Sequence, residues 1–293
     1  MAKQMRRNSS SQKRRFTRRQ VLTLGAGAIC TAAATGAYAK FVEPDDFEVT
    51  TTDVTLRGWK YSSSILAGHL SDLHCTSEST FDRAEKAVKL LQDQNPEVVF
   101  LTGDFLTRRP EKWADRCGDL LARFSRARYG AYAVLGNHDW WSGGSDRMAA
   151  ALTKAGIKVL QNKSVPLPIP NKGLWVTGLD DVLDRRDDIG KAISGLPERS
   201  VRILLVHEPD YADECPPGFA LQLSGHSHGG QICLPGGRPI HVPLLGRKYP
   251  RGLNQGPSHP IYTTRGIGMV GLKYRLFSPP EITMLRLKPQ FPA

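Results

Sequence analysis

Two packed β-sheets covered by helices, an α/β fold, are what this sequence predicts, and three observations predict it. Apolar runs of about four residues alternate with stretches of ten or more residues bearing one apolar helical face, the pattern of βαβ units. After Gln231 the pattern changes to short β-like pieces punctuated by Gly and Pro, which reads as a second sheet packed on the first. Side chains able to bind metal or substrate follow the ends of the apolar runs, where α/β proteins bind ligands. A chain of 293 residues can bury a substantial core, and no polar linker divides it after residue 53.

The first 39 residues read as an export signal. Lys3, Arg6, Arg7, Lys13, Arg14, Arg15, Arg18 and Arg19 precede an uncharged stretch over 21–38 and the small-x-small site Ala37-Tyr38-Ala39, after which cleavage is expected. Thr17-Arg18-Arg19-Gln20-Val21-Leu22 resembles the twin-arginine signal, whose bacterial cargo is exported already folded by the twin-arginine machinery. An uncleaved single-pass anchor is the alternative. Either way the folded part is expected outside the cytoplasm, periplasmic or held at the outer face of the membrane or cell wall. Residues 40–52 read as a linker and 53–293 as a single domain.

Within that domain, Val54 and Leu56 alternate to give an entering strand over 53–57, ended by Gly58. A strand over 65–70 ends at Asp72. Ser77 to Thr80 supply caps for a helix whose Phe81, Ala84, Val88, Leu90 and Leu91 share a face, stopped by Asn95-Pro96. Val98-Val99-Phe100-Leu101 is uniformly apolar, as a buried parallel strand requires. Pro110 opens a helix to Phe124 with Trp113, Cys117, Leu120 and Leu121 inward. A strand over 129–135, a helix over 146–155, an edge strand over 158–160 and a strand over 174–177 follow, then a short helix over 189–196 and strands over 201–206 and 219–224. The β-like pieces of the second sheet are 240–244, 261–264 and 282–287.

The formal charge of +12 invites a nucleic-acid reading, but eight units lie in residues 1–39 and only +4 remains on the rest. With no basic stripe and no interleaved aromatics, that composition argues against nucleic acid. Beyond the leader stand Cys75, Cys117, Cys215 and Cys233, with three pairings open in an oxidising compartment. Cys75 reads as a packing or disulfide residue, because a soft thiolate suits a carboxylate-rich metal site poorly.

Five of the eight histidines, His74, His138, His207, His226 and His228, closely follow expected strands. Asp72-x-His74, Gly103-Asp104, Gly136-Asn137-His138-Asp139, His207 and Gly225-His226-x-His228 resemble, in order and separation, the signature of the calcineurin-like metallophosphoesterases. The likeness spans about residues 65–287, and the Gly225 to Gln231 variant with Pro279-Pro280-Glu281 resembles the exported or membrane-linked bacterial branch. The resemblance implies a four-layer α-β-β-α sandwich and a two-metal site. Asp72, His74 and His228 would hold one ion, Asn137, His207 and His226 the other, and Asp104 would bridge them. His138 would stay off the metals and help the leaving oxygen depart, with Asp139 bonded to its other ring nitrogen.

Two close divalent ions repel, so a shared carboxylate and a bridging hydroxide nucleophile suit them. Mixed His and carboxylate donors favour Mn, Fe or Zn over Mg or Ca, with manganese first. The implied activity is phosphoric ester hydrolysis. Export, Trp140-Trp141 as an apolar lip, and the cations Arg108-Arg109, Arg247-Lys248 and Arg251 lean it towards a phosphodiesterase or pyrophosphatase acting on an envelope or phospholipid-related substrate, with contact to a lipid headgroup or membrane surface. A broad phosphomonoesterase, or a non-catalytic phosphate-group binding protein that retains the fold, are the alternatives. A serine hydrolase is excluded, since Ser227 lacks the Gly-x-Ser-x-Gly frame.

Overall fold

A computed structural model describes residues 17–61, 63–169 and 173–290; Lys3, Arg6, Arg7, Lys13, Arg14 and Arg15 of the expected signal lie outside the described residues. The chain divides into two compact units, Met1–Tyr38 and Ala39–Ala293. Helix α1 (Arg18–Phe41) accounts for the described part of the first. With a mean hydropathy of 1.4 over its apolar window it is long and apolar enough to cross a membrane, a test that an export signal near an N-terminus passes equally.

In the second unit β1 (Glu48–Leu56) and β2 (Ile65–Leu70) lead to α2 (Glu78–Asp93), β3 (Val98–Thr102), α3 (Pro110–Leu121) and β4 (Ala131–Val134). The short helix α4 (Asn137–Trp141), then α5 (Ser145–Lys154) and β5 (Lys158–Val159), complete this run. Next come β6 (Lys163–Pro166), β7 (Leu174–Gly178), α6 (Ile189–Ile193), β8 (Val201–Leu205) and β9 (Leu221–Ser224). A small hairpin of β10 (Cys233–Leu234) and β11 (Arg238–Pro239) precedes β12 (Gly252–Gln255), β13 (Pro260–Thr263) and β14 (Glu281–Pro289).

The strands form two six-stranded mixed sheets, ordered β1-β14-β2-β3-β4-β5 and β12-β13-β9-β8-β7-β6. Strand alternation sorts the core into three apolar layers. Val98 and Phe100 point between the sheets to meet Tyr132, Val176, Ile203, Leu205 and Leu285. Val99 and Leu101 point the other way, onto Val88, Leu91, Trp113, Leu121 and Leu152 of α2, α3 and α5. On the far side, Leu204 and Val206 pack with Ala192, Tyr211 and Phe219. Helices, sheet, sheet and helices therefore stack in four layers, as the resemblance implies.

Several local expectations change. β14 does not join the second sheet: it lies parallel to β1 and antiparallel to β2 inside the first. The second sheet instead begins at β6, well before Gln231. Residues 240–244 are not a strand. β1 starts at Glu48, and Glu43 is buried with its Oε1 accepting the Ser278 N–H at 2.6 Å, so the segment before residue 53 is part of the folded unit. Ala39 also belongs there, its carbonyl accepting the Arg275 N–H at 2.9 Å. No two of the five cysteines are joined, and all but Cys30 are buried.

Candidate metal centre

The strands β2, β3, β8 and β9 end on one rim, where the two sheets meet. Backbone bonds tie the loops there: Asp72 N–H to the Gly103 carbonyl at 3.0 Å, His74 N–H to Asp104 at 3.0 Å, and Gly225 N–H to His207 at 3.0 Å. Bonds between the sheets add to these. The His207 Nδ1–H donates to the Thr102 carbonyl at 2.5 Å, and the His226 N–H reaches both Asp72 oxygens at 3.2 and 3.1 Å.

Five residues of the signature have left-handed backbones: Asp72 (φ 57°), His74 (48°), Asp104 (55°), His226 (67°) and His228 (51°). Asp and His tolerate this region better than most residues, at a cost of about 1–3 kcal/mol each. Leaving the pleat is what lets Asp72 and His74, two apart, face one point. Close approach accounts for Gly225, where an added Cβ would lie 2.4 Å from Asp72 Oδ2, and for Gly136, where it would lie 2.4 Å from Asp104 Oδ1.

Donor atoms converge at the rim. His74 Nε2 stands 3.1 Å from His228 Nε2, and Asp72 Oδ1 lies 3.7 Å from the first and 3.4 Å from the second. Asp104 Oδ2 lies 3.2 Å from His207 Nε2 and 3.5 Å from His74 Nε2. Donors bonded to one ion at about 2.1 Å sit roughly 3.0–3.4 Å apart, and most of these separations match. Asp72, His74 and His228 form one metal-capable group, and Asp72, Asp104 and His207 another. Asp72 thus joins both groups, and Asp104 reaches histidines of both. Asn137 Oδ1 faces His226 Nδ1 at 3.0 Å.

Outer partners set which ring nitrogen is free. His226 Nε2 donates to the Leu244 carbonyl at 2.8 Å, so Nδ1 keeps its lone pair towards Asn137. His74 Nδ1 meets Thr107 Oγ1 at 2.7 Å, and the Thr102 carbonyl holds His207 Nδ1. Among the described residues, the buried His207 Nε2 and His228 Nδ1 have no hydrogen-bond partner; the 3.2 Å contact of His207 Nε2 with Asp104 has ion-pair length without hydrogen-bond alignment. Two buried carboxylates, an orphaned imidazole nitrogen and lone pairs facing one another fit a pair of divalent cations.

The electrostatics agree. Burial opposes ionisation of Asp72 and Asp104, but His228, His74 and His207 around the first, and His207 and His74 around the second, hold both carboxyls well below the usual range. Burial lowers His226 to about 4 and His228 to about 3. His207 goes up instead, because Asp104 and Asp72 outweigh its burial. The centre is anionic and calls for positive charge.

His138 and Asp139 depart from expectation. The expected bond between them is not formed: Asp139 Oδ1 accepts the Leu106 N–H at 2.9 Å and Oδ2 the Gly136 N–H at 3.0 Å, so the carboxylate braces two loops. Burial, then Asp104, raises Asp139 to about 7. Burial lowers the pKa of the His138 ring, and the His138 backbone N–H donates to Asp104 Oδ1 at 2.8 Å. Its ring meets His74 and Trp141 edge-on at 4.9 and 5.2 Å and comes close enough to group with His74 and Asp104.

The tryptophans divide. Trp140 packs on the core and bonds Asp180, whereas Trp141 is 58% exposed and bonds Asp184. Two of the cations are engaged elsewhere: Lys248 pairs with Asp213, and Arg251 bonds the carbonyls of Gly236 and Phe277. Sequence reasoning missed Thr102, Thr107, Leu244 and Arg275. Arg275 is fully buried and donates to the carbonyls of Arg265, Gly266, Gly268 and Ser278, bracing the loop whose Gly268 N–H bonds the Asp72 carbonyl at 2.6 Å. Two of the four, Thr102 and Leu244, work through their own main-chain carbonyls, which leave no signature in residue type.

Known proteins are similar to this chain. The calcineurin-like phosphoesterase family model matches residues 66–230. The uncharacterized metallophosphoesterase YkuE of Bacillus subtilis is 33% identical over 94% of this chain and 99% of its own length. Phosphodiesterase YaeI of Escherichia coli is 31% identical over 93% of this chain and 99% of its own. With the signature side chains gathered on one rim and the match running over more than half the sequence, the chain belongs to the calcineurin-like phosphoesterase family and carries its dinuclear-metal phosphoesterase active site.

Proposed function

We propose that this enzyme is a phosphodiesterase acting outside the cytoplasm on an envelope or phospholipid-related substrate. The observation that carries the reading is the cavity above the centre, about 810 Å³, with Asp104, Asn137, His138, His226 and His228 on its floor. Among the described residues, no Lys or Arg lines it. A monoester dianion, or a pyrophosphate with its second charge, would call for a cationic clamp. A diester carries one charge and two carbon arms, which this cavity suits. The name of the Escherichia coli relative, a phosphodiesterase, supports the same reading.

In this proposal Asp72, His74 and His228 hold one ion, Asn137, His207 and His226 the other, and Asp104 is shared. Mixed imidazole and carboxylate donors suit Mn, Fe or Zn, and manganese is the ion proposed. A bound pair supplies Lewis acidity to the phosphoryl oxygens and acidifies a water. The chain's own part is positioning: Thr102, Thr107 and the Leu244 carbonyl fix the imidazoles, and Asp139 braces the loops around His138. In this reading His138 offers a ring N–H to the leaving oxygen. Export by the twin-arginine route rests on the Arg18-Arg19 motif and the apolar α1.

The test is a comparison of bis(p-nitrophenyl) phosphate with p-nitrophenyl phosphate on the Mn-loaded protein. The expected kcat/KM favours the diester by at least about tenfold; equality or reversal overturns the reading.

A further inference from the structure

The cavity is far larger than a phosphoryl group needs, and its outer half is apolar. Trp141, Ile240, Leu244 and Leu272 line it while being 58%, 63%, 60% and 65% exposed. Large apolar side chains held in water around one opening differ from singly scattered ones, which are ordinary on any surface. These segments are built in place. Gln231, three residues beyond His228, donates through Nε2 to the carbonyls of Val270 at 3.1 Å and Leu272 at 2.7 Å, and accepts the Val270 N–H at 2.9 Å. The Ile240 N–H bonds the Ile232 carbonyl at 3.1 Å, and the Leu244 carbonyl is the one that fixes His226. One set of bonds therefore positions the apolar wall and the metal-binding loops together.

We propose that this wall seats a hydrocarbon arm of the substrate, so that the diester cleaved is an amphiphile; the proposal rests on the phosphodiesterase reading. The phosphorus sits over the floor and one arm runs along Ile240, Leu244 and Leu272, leaving Trp141 beside the mouth. The wall recognises the chain and not a charged headgroup, since no Lys or Arg among the described residues lines the cavity. Its volume lies within the range that encloses most of a drug-sized ligand.

The experiment uses full-length Mn-loaded protein and p-nitrophenyl methyl, butyl and octyl phosphodiesters, all below their micellar concentrations. Full burial is worth about fourfold per methylene, so half burial gives about twofold each and about 100-fold in kcat/KM from methyl to octyl. The readout is the octyl-to-methyl ratio, which cancels any loss of correctly folded protein. In the double variant Leu272→Ser, Ile240→Ser the ratio falls at least tenfold. A flat series in the wild type, or a ratio the double variant leaves intact, overturns the proposal. Binding of n-octyl phosphate against methyl phosphate, followed by tryptophan emission, separates the two readings. If no diester is hydrolysed while octyl phosphate still binds at least tenfold tighter, the phosphodiesterase reading falls and the hydrocarbon seat stands.

Discussion

Replacing Asp104 by asparagine tests the centre most directly. Oδ1 is committed to the His138 N–H at 2.8 Å, and only Oδ2 faces His207 and His74, at 3.2 and 3.5 Å. The amide of Asp104→Asn has one oxygen, which the His138 N–H requires. Its NH₂ is then turned towards the donors of the centre, so a hydrogen-bond donor replaces an anion beside the cations. Removing one partner from a buried charge pair costs about 3–5 kcal/mol, or roughly 150- to 4,000-fold in affinity. Mn titration by calorimetry, with metal content after desalting, should show at least one ion bound more than about 100-fold more weakly. Far-ultraviolet circular dichroism of the chelated variant should match the wild type, because shape and volume are kept. Two ions retained within tenfold of wild-type affinity would refute the reasoning.

Other expectations follow from neighbouring geometry. His138→Ala should lower kcat by about 10²- to 10⁴-fold while metal content stays near the wild-type value, and parallel loss of metal would make His138 a ligand. Arg275→Met strands four carbonyls and should destabilise the chelated protein by about 3 kcal/mol or more in urea, with Arg275→Lys recovering part; a loss below about 1 kcal/mol would contradict its bracing role. His259 is buried, bonded to Gln222 at 3.2 Å, and lowered by burial from 6.5 to about 4. Because its folded pKa is below its unfolded one, its stability is complete above pH 6.5 and is lost as pH falls towards 4. The loss is about 3 kcal/mol. Denaturant titrations of His259→Leu should show a shallower acid limb over that window, and an unchanged slope would count against it.

Much of this was legible because burial writes strongly in residue type. Val98 to Leu101 and Ile203 to Val206 are apolar on both faces, since each sheet is covered on both sides. The strand-end ligands were legible for a related reason: His, Asp and Asn recur directly after apolar runs chiefly where strand ends open onto a binding crevice. What escaped has physical causes. β6 and β12 are edge strands with exposed Lys163, Pro166, Leu253 and Gln255, so they carry no apolar run. The apolar 240–244 segment looked like a strand because composition cannot distinguish a core from a cavity wall. β14 had the right pattern but the wrong sheet, because pairing partners are not encoded in alternation. Asp139 next to His138 suggested a side-chain pair, whereas its position three residues past Gly136 turns it back onto the backbone.

The left-handed ligand positions also constrain what this scaffold can become. A descendant released from catalysis is not free to fill positions 72, 74, 104, 226 and 228 with valine or isoleucine, since their branched side chains oppose that backbone. Asparagine and glycine are the easy exits. Retired copies of the enzyme should therefore betray their ancestry through small polar or bare residues at these turns, long after the metals have been abandoned.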